Sequence, residues 1–182
     1  MFFLEIKPLP PEEWHKYREL RLNALKQSPN EFIRSFEEEA PIPKEVWVKK
    51  LEEAQKGKNF WLFFGMEVGH DPVAMISASL GEGDKISHIA TIAGPYVLPE
   101  SREDGLSVKL IKTVIQELSK NPEVRKARAF IAMDQRDLVA AYGSLGFNIM
   151  GELVGEIKTE KGYMNEYILE KNIRTEGNIE KL

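Results

Sequence analysis

The sequence contains no cysteine. That excludes disulfides, thiolate metal ligands and a cysteine nucleophile. Its three histidines, His15, His70 and His88, lie far apart and share no metal-ligand spacing, so no metal site is expected. No apolar run approaches the ~18 residues of a membrane span. The start, Met1-Phe2-Phe3-Leu4-Glu5, reaches charge at once and lacks the basic and long apolar regions of a signal peptide. These absences point to a cytoplasmic protein with no membrane partner. Positive charge is also in short supply: 25 Lys+Arg stand against 29 Asp+Glu, a net charge of -4 and a pI near 5.6. A general nucleic-acid binder wants the opposite balance, so none is expected.

What is present is an ordinary globular composition, 42% hydrophobic and 30% charged over 182 residues. Such a length suits a single domain that needs no covalent staple. We expect one domain over residues 1–171 and a polar tail over 172–182. The charge is unevenly spread. Residues 1–100 hold 12 basic and 16 acidic side chains, and residues 101–182 hold 13 of each. The whole surplus of -4 therefore lies in the first part.

Hydrophobic periodicity gives the element order. Residues 2–7 read as a short strand ended by Pro8 and Pro10. Pro11-Glu12-Glu13 opens a helix in which Trp14, Tyr17, Leu20 and Ala24 recur at helical spacing. After an irregular stretch with Phe32, Phe36 and Glu37-Glu38-Glu39, a second helix carries Val46, Trp47, Leu51 and Ala54 and stops near Gly57. Residues 60–66 and 73–80 are strands joined by a turn, and residues 86–97 form a longer strand interrupted at Gly94-Pro95. Residues 105–120 form the most amphipathic helix, with Leu106, Leu110, Ile111, Val114, Ile115 and Leu118 on one stripe. A strand over 127–133, a short helix over 138–145 closed by Gly146, and a hairpin over 147–158 and 163–170 complete the chain. The order β-α-α-β-β-β-α-β-α-β-β predicts a mixed α/β (α+β) fold with a substantial antiparallel part.

Three local features carry possible chemistry. The strand ending Tyr96-Val97-Leu98-Pro99 runs through Arg102-Glu103-Asp104-Gly105 into a helix beginning Leu106-Ser107. A Gly-containing turn at a helix N-terminus points backbone N–H groups and the helix dipole at an anion. The alternative is an ordinary strand-to-helix turn. Tyr142, in Ala141-Tyr142-Gly143-Ser144-Leu145-Gly146-Phe147, can donate a proton if it edges a cleft, or can simply pack. Gly94-Pro95 breaks the strand ladder and can leave backbone groups open to a ligand, or can be a plain kink.

The segment Tyr96-Val97-Leu98-Pro99-Glu100-Ser101-Arg102-Glu103-Asp104-Gly105-Leu106-Ser107 resembles the acetyl-coenzyme A signature of the GNAT N-acetyltransferases, tyrosine-valine-x-proline-x-x-Arg/Gln-x-x-Gly-x-Gly/Ala. Residues 140–147 resemble the family's later Ala-x-x-Tyr-x-x-x-Gly-Phe motif. The element order over nearly the whole chain is similar too. The resemblance implies a mostly antiparallel central sheet flanked by helices, with acetyl-CoA in a V-shaped gap between the strand ending at Val97 and the strand at Phe130. It implies that the segment from Arg102 through Gly105, Leu106 and Ser107 holds the pyrophosphate. Backbone groups of Tyr96, Val97 and Leu98 would meet the pantetheine and the thioester carbonyl, and Tyr142 would protonate the leaving thiolate. The reaction implied is direct acetyl transfer to a primary amine of a small molecule or peptide. Glu103 and Asp104 depart from the family pattern and would set carboxylates beside the pyrophosphate. Gln135 stands where the family usually has Asn, and Ser107 where it has Gly or Ala.

For a general base, only His88 and Tyr96 are titratable between residues 87 and 99, and His88 has the suitable intrinsic pKa. Glu37, Glu38 and Glu39 give an acidic rim that would draw a cationic amine, or are merely a solvated face. Two other readings stay open: a different acyl-CoA donor, and a degenerate GNAT domain that binds CoA or a partner protein without catalysis. The hairpin over 147–170 is a possible homodimer edge.

Overall fold

The computed structural model describes residues 4–102 and 105–174. One seven-stranded sheet organises them. Its strands are β1 (Leu4–Lys7), β2 (Phe60–Glu67), β3 (Ala74–Leu80), β4 (Ile89–Val97), β5 (Lys126–Ala132), β6 (Asn148–Thr159) and β7 (Gly162–Asn172), in the order β1-β2-β3-β4-β5-β7-β6. Neighbours are antiparallel except β4 and β5, which run parallel. The helices are α1 (Trp14–Gln27), α2 (Phe36–Glu39), α3 (Lys44–Lys56), α4 (Leu106–Lys120) and α5 (Arg136–Ser144).

The two-residue side-chain period of a strand explains why β2 reads as a continuous apolar run. Trp61 and Phe63 enter the core under α4, whereas Leu62, Phe64 and Met66 enter the core under α1 and α3. A strand covered on both faces needs no polar alternation. The α4 face buries Leu110, Ile111, Val114 and Leu118 completely, against Ile76, Ile92 and Ala129. On the other face Trp47 is completely buried, and its indole N–H donates to the Ile42 carbonyl at 3.1 Å. Tyr17 packs edge-on to both Trp47 and Phe64. This second core ends at Tyr96 on β4. One strand further, Phe130 points the same way and is exposed.

Several boundaries differ from the sequence expectation. Pro11–Glu13 is a 3-10 turn and α1 proper begins at Trp14. The segment read as irregular contains α2, started by a reciprocal cap. The Glu38 N–H donates to Ser35 Oγ at 3.2 Å, and the Ser35 N–H donates to Glu38 Oε2 at 2.7 Å. β4 begins at Ile89, three residues later than expected, because residues 83–89 are taken up by turns closed through Gly83 and Ile86 carbonyls. The boundary expected at residue 172 falls at the end of β7. Ile173 donates to the Arg125 carbonyl and Arg174 to the Ser119 carbonyl, so residues 172–174 belong to the fold. No helix among the described residues is long and apolar enough to cross a membrane.

Candidate functional site

The parallel ladder between β4 and β5 pairs only Ile89 to Ile92 with Lys126 to Ala129. Beyond Ile92 the two strands part. On its other side β4 also slips register against β3, between the Met75–Tyr96 and Ser77–Ala93 pairs, which is where Gly94-Pro95 lies. The expected V-shaped opening therefore coincides with the bulge. Strand backbone groups alternate sides. The Leu98 N–H donates to Val73 of the β3 edge at 2.8 Å, which turns the Val97 backbone toward the opening. The Val97 carbonyl is found there, accepting from Arg102 Nε at 3.1 Å.

The opening continues into a cleft of about 1280 Å³. One wall is the segment after α1, with Gln27, Ser28 and Glu31. The other is the end of β5 and the start of α5, with Gln135 and Arg136. Its floor reaches Val97, and its end is the start of α4, where Gly105, Leu106, Ser107 and Val108 line it. Gly105 has φ +80, with nothing within 4 Å of where a Cβ would stand. Glycine is required here by backbone conformation rather than by space. The Gly105 carbonyl accepts the first helical bond, from Lys109. No side chain among the described residues caps the helix, and its first turn carries no acidic residue. The N–H groups of that first turn therefore face the cleft with the positive end of the helix dipole. A slot beside an open strand and an amide cradle at its end fit an extended chain carrying a phosphate group.

The expected residues separate into three groups. Val97, Arg102, Gly105, Leu106, Ser107 and Gln135 meet in the cleft. Glu103 and Asp104 lie outside the described residues. Tyr96, Leu98, Tyr142 and His88 stand apart from the cleft lining, for different reasons. The Tyr96 ring belongs to the core under α1 and α3, tilted against Phe32, and its hydroxyl donates to Gln27 Oε1 at 2.7 Å. Leu98 has its N–H on Val73 and its carbonyl accepting from Ser101, so its backbone is not available as expected. Tyr142 is fully buried behind the opening. Its hydroxyl donates to the Gly94 carbonyl at 2.9 Å and its ring stands edge-on to Phe147. Burial pushes its phenol pKa far up, so the hydroxyl stays protonated.

His88 lies at another part of the sheet. It is exposed in the turn before β4, and its carbonyl accepts from Arg125 and Lys126. It precedes the first β4–β5 pair, so the whole parallel ladder from Ile89 to Ile92 lies between it and the opening. The acidic rim is corrected. Glu39 is 2% exposed and gripped by Arg21, whose Nε and Nη2 donate to its two oxygens at 3.0 and 2.7 Å. Glu38 is taken up by the Ser35 cap.

Sequence inspection passed over Glu31 and Gln27. Both lie in or beside the break at Ser28-Pro29-Asn30, which reads only as the end of a helix. Glu31 is an exposed residue whose side chain is 31% exposed, with Arg102 Nη2 3.9 Å from its Oε1. Burial raises its pKa, with Asp134 adding to the rise, while Arg102 and a hydrogen bond from Ser28 oppose it. No group of His, Asp or Glu capable of holding a metal ion occurs among the described residues.

Comparison with known proteins agrees with this geometry. No curated protein matches the sequence. Among solved structures, an acetyltransferase of the GNAT family from Streptococcus pneumoniae superposes with a TM-score of 0.85 at 13% identity, covering 94% of this chain and 100% of that one. A Salmonella typhimurium protein described as an acetyltransferase, solved with its cofactor acetyl-CoA, has a TM-score of 0.80 at 14% identity over 99% of both chains. A phosphinothricin acetyltransferase from Sinorhizobium meliloti, in complex with acetyl-CoA, has a TM-score of 0.78 at 11% identity, covering 93% of this chain and 88% of that one. At such identities these likenesses establish the fold alone. The model of the Acetyltransferase (GNAT) family matches residues 20–147, from α1 through the Phe147 that follows α5. With that match over most of the length, and the resemblance of both motifs placed around one cleft, the chain belongs to the GNAT family of acetyltransferases.

Proposed function

We propose that this acyltransferase moves an acetyl group from acetyl-CoA directly to a primary amine of a small molecule or peptide, with Tyr142 as general acid. One observation carries the reading. The β4–β5 ladder ends at Ile92 and Ala129, and the cleft beyond it runs from Pro95 and Val97 to the start of α4, with the Tyr142–Gly94 bond behind it.

The geometry supports the following roles. The amides of Gly105, Leu106 and Ser107 receive the pyrophosphate, where the helix dipole favours negative charge. The Val97 backbone faces the slot, and its N–H stabilises charge that develops on the thioester oxygen. The amine lone pair forms the new N–C bond and the C–S bond breaks; the sulfur leaves as a thiolate that takes the Tyr142 proton, and the proton shed by the new amide nitrogen passes by way of solvent in the cleft to restore the phenol, so that protons balance. Tyr142 holds its proton through the working pH range because burial opposes the phenolate. It supplies that proton to the thiolate once the Gly94 carbonyl releases it. No acyl-enzyme is needed, in keeping with a chain that has no cysteine.

The second reading, coenzyme binding without catalysis, draws on the same bond: the Tyr142 hydroxyl already has a partner and no exposure. A thermal-shift titration with acetyl-CoA and with CoA, followed by thiol release across a panel of primary amines, separates the two. Ligand at 100 times its dissociation constant stabilises by about 2.7 kcal/mol. A shift with thiol release supports acetyl transfer; a shift without it supports the binding module. No shift at millimolar ligand removes both. For a second copy as partner, the support is the open edge strand β6, where Ile149, Met150 and Val154 are exposed.

A further inference from the structure

Arg102 lies between two calls on its charge. Its Nε donates to the Val97 carbonyl, the acceptor that faces the strand opening, and its Nη2 stands 3.9 Å from Glu31 Oε1. Neither contact uses the guanidinium fully, and its side chain remains 49% exposed toward the cleft. Glu31, for its part, is a partly exposed cleft carboxylate whose ion pair with Arg102 is loose. Among the described residues, the charged and titratable groups that face it are Arg102 from the turn after β4, Asp134 from the turn after β5, and the Tyr96 hydroxyl from β4. Arg136 and Asp137 line the same cleft from α5. A carboxylate in a cleft that takes a polyanion opposes that ligand, unless its charge is cancelled.

We propose that Glu31 is a positioning residue of the coenzyme site: through Arg102 it parks the guanidinium on the Val97 carbonyl, and coenzyme binding transfers Arg102 to the phosphates with uptake of a proton by Glu31. This rests on the acetyl-CoA reading above. Three consequences follow from the one displacement. The Arg102 guanidinium, whose backbone lies three residues before the Gly105 cradle, reaches a phosphate there. The Val97 carbonyl is uncovered toward the slot for a donor on the pantetheine. Glu31 loses its countercharge and gains a negative neighbour, so it takes a proton from solvent, and no other bond forms or breaks.

The test needs no acceptor substrate. Isothermal calorimetry with CoA and with dephospho-CoA, which removes titration of the 3′-phosphate, is run on the whole protein in buffers of different ionisation enthalpy. The wild type is expected to bind more tightly as the pH falls through the carboxylate range, with a buffer-dependent heat that reports proton uptake. Glu31→Gln is expected to bind about two- to fivefold more tightly above that range, the worth of one loose ion pair, and to lose most of the proton uptake. Glu31→Asp restores the uptake, which a purely structural role would not do, and Asp134→Asn retains it. Equal affinity and equal proton uptake in the wild type and Glu31→Gln overturn the proposal and leave acetyl transfer standing. Absence of CoA binding by the wild type overturns the acetyl-CoA reading itself.

Discussion

The Tyr142 hydroxyl donates to the Gly94 carbonyl at 2.9 Å and so spans the place where β4 and β5 have already parted. One hydrogen bond thus stands where the next pairs of a parallel ladder would otherwise be. It ties the residue expected to act on sulfur to the strand break just before the residues expected to meet the thioester. Tyr142→Phe deletes only the hydroxyl. We expect a stability loss of about 0.5–1.5 kcal/mol in urea denaturation, since one neutral bond is lost. Turnover in a thiol-release assay is expected to fall by about 10²-fold or more, with the CoA dissociation constant nearly unchanged. Unchanged turnover removes Tyr142 as the acid.

Gly105 tests the cradle. Alanine there meets no neighbour, so its whole cost is the left-handed backbone at φ +80, about 1–2 kcal/mol. Either the residue pays in stability or the turn rearranges. Gly105→Ala is expected to lower the melting temperature and weaken CoA binding together. A melting temperature and affinity equal to the wild type would show that the cradle does not depend on this conformation.

The Arg21–Glu39 pair gives a pH prediction. Burial pushes the Glu39 pKa up, but hydrogen bonds and charge from Arg21, with Lys50 and Arg34 behind, outweigh burial and hold it below the usual carboxylate range. A carboxyl whose folded pKa is depressed contributes stability above its unfolded pKa and loses it as the pH falls through the folded value. Glu39→Gln is therefore expected to destabilise by about 3 kcal/mol at neutral pH, since Arg21 is left mostly buried without its partner. The difference from the wild type should shrink on acidification. Equilibrium denaturation at several pH values measures it, and a constant difference contradicts the assignment.

His88 is the control. It is exposed in the turn before β4. His88→Ala is expected to leave the melting temperature within about 0.5 kcal/mol equivalent and turnover unchanged. A steep loss of turnover would return it to the mechanism.

Much of the fold was legible because its signals are local. The α4 stripe, the turn glycines and the two-sided apolar run of β2 each state their own structure within about 15 residues. α2 was missed because four residues carry no period, although the Ser35–Glu38 cap was present in the sequence as Ser-x-x-Glu. The start of β4 was misplaced because Ile86 is apolar yet lies in a turn and is half exposed.

The two motifs by themselves determined the family and located the amide cradle, since a helix N-terminus is specified by the residues that form it. Which expected residues share the cleft was decided only by tertiary structure. Tyr96, Val97 and Leu98 are adjacent in sequence, but alternation sends their groups to different sides, so Val97 alone turns its backbone to the opening. Glu39 reads as surface charge until α1 brings Arg21 onto it. Glu31 acquires meaning only beside Arg102, 71 positions away in the chain. Periodicity and spacing report what neighbours in sequence do; the field at a side chain is set by neighbours in space.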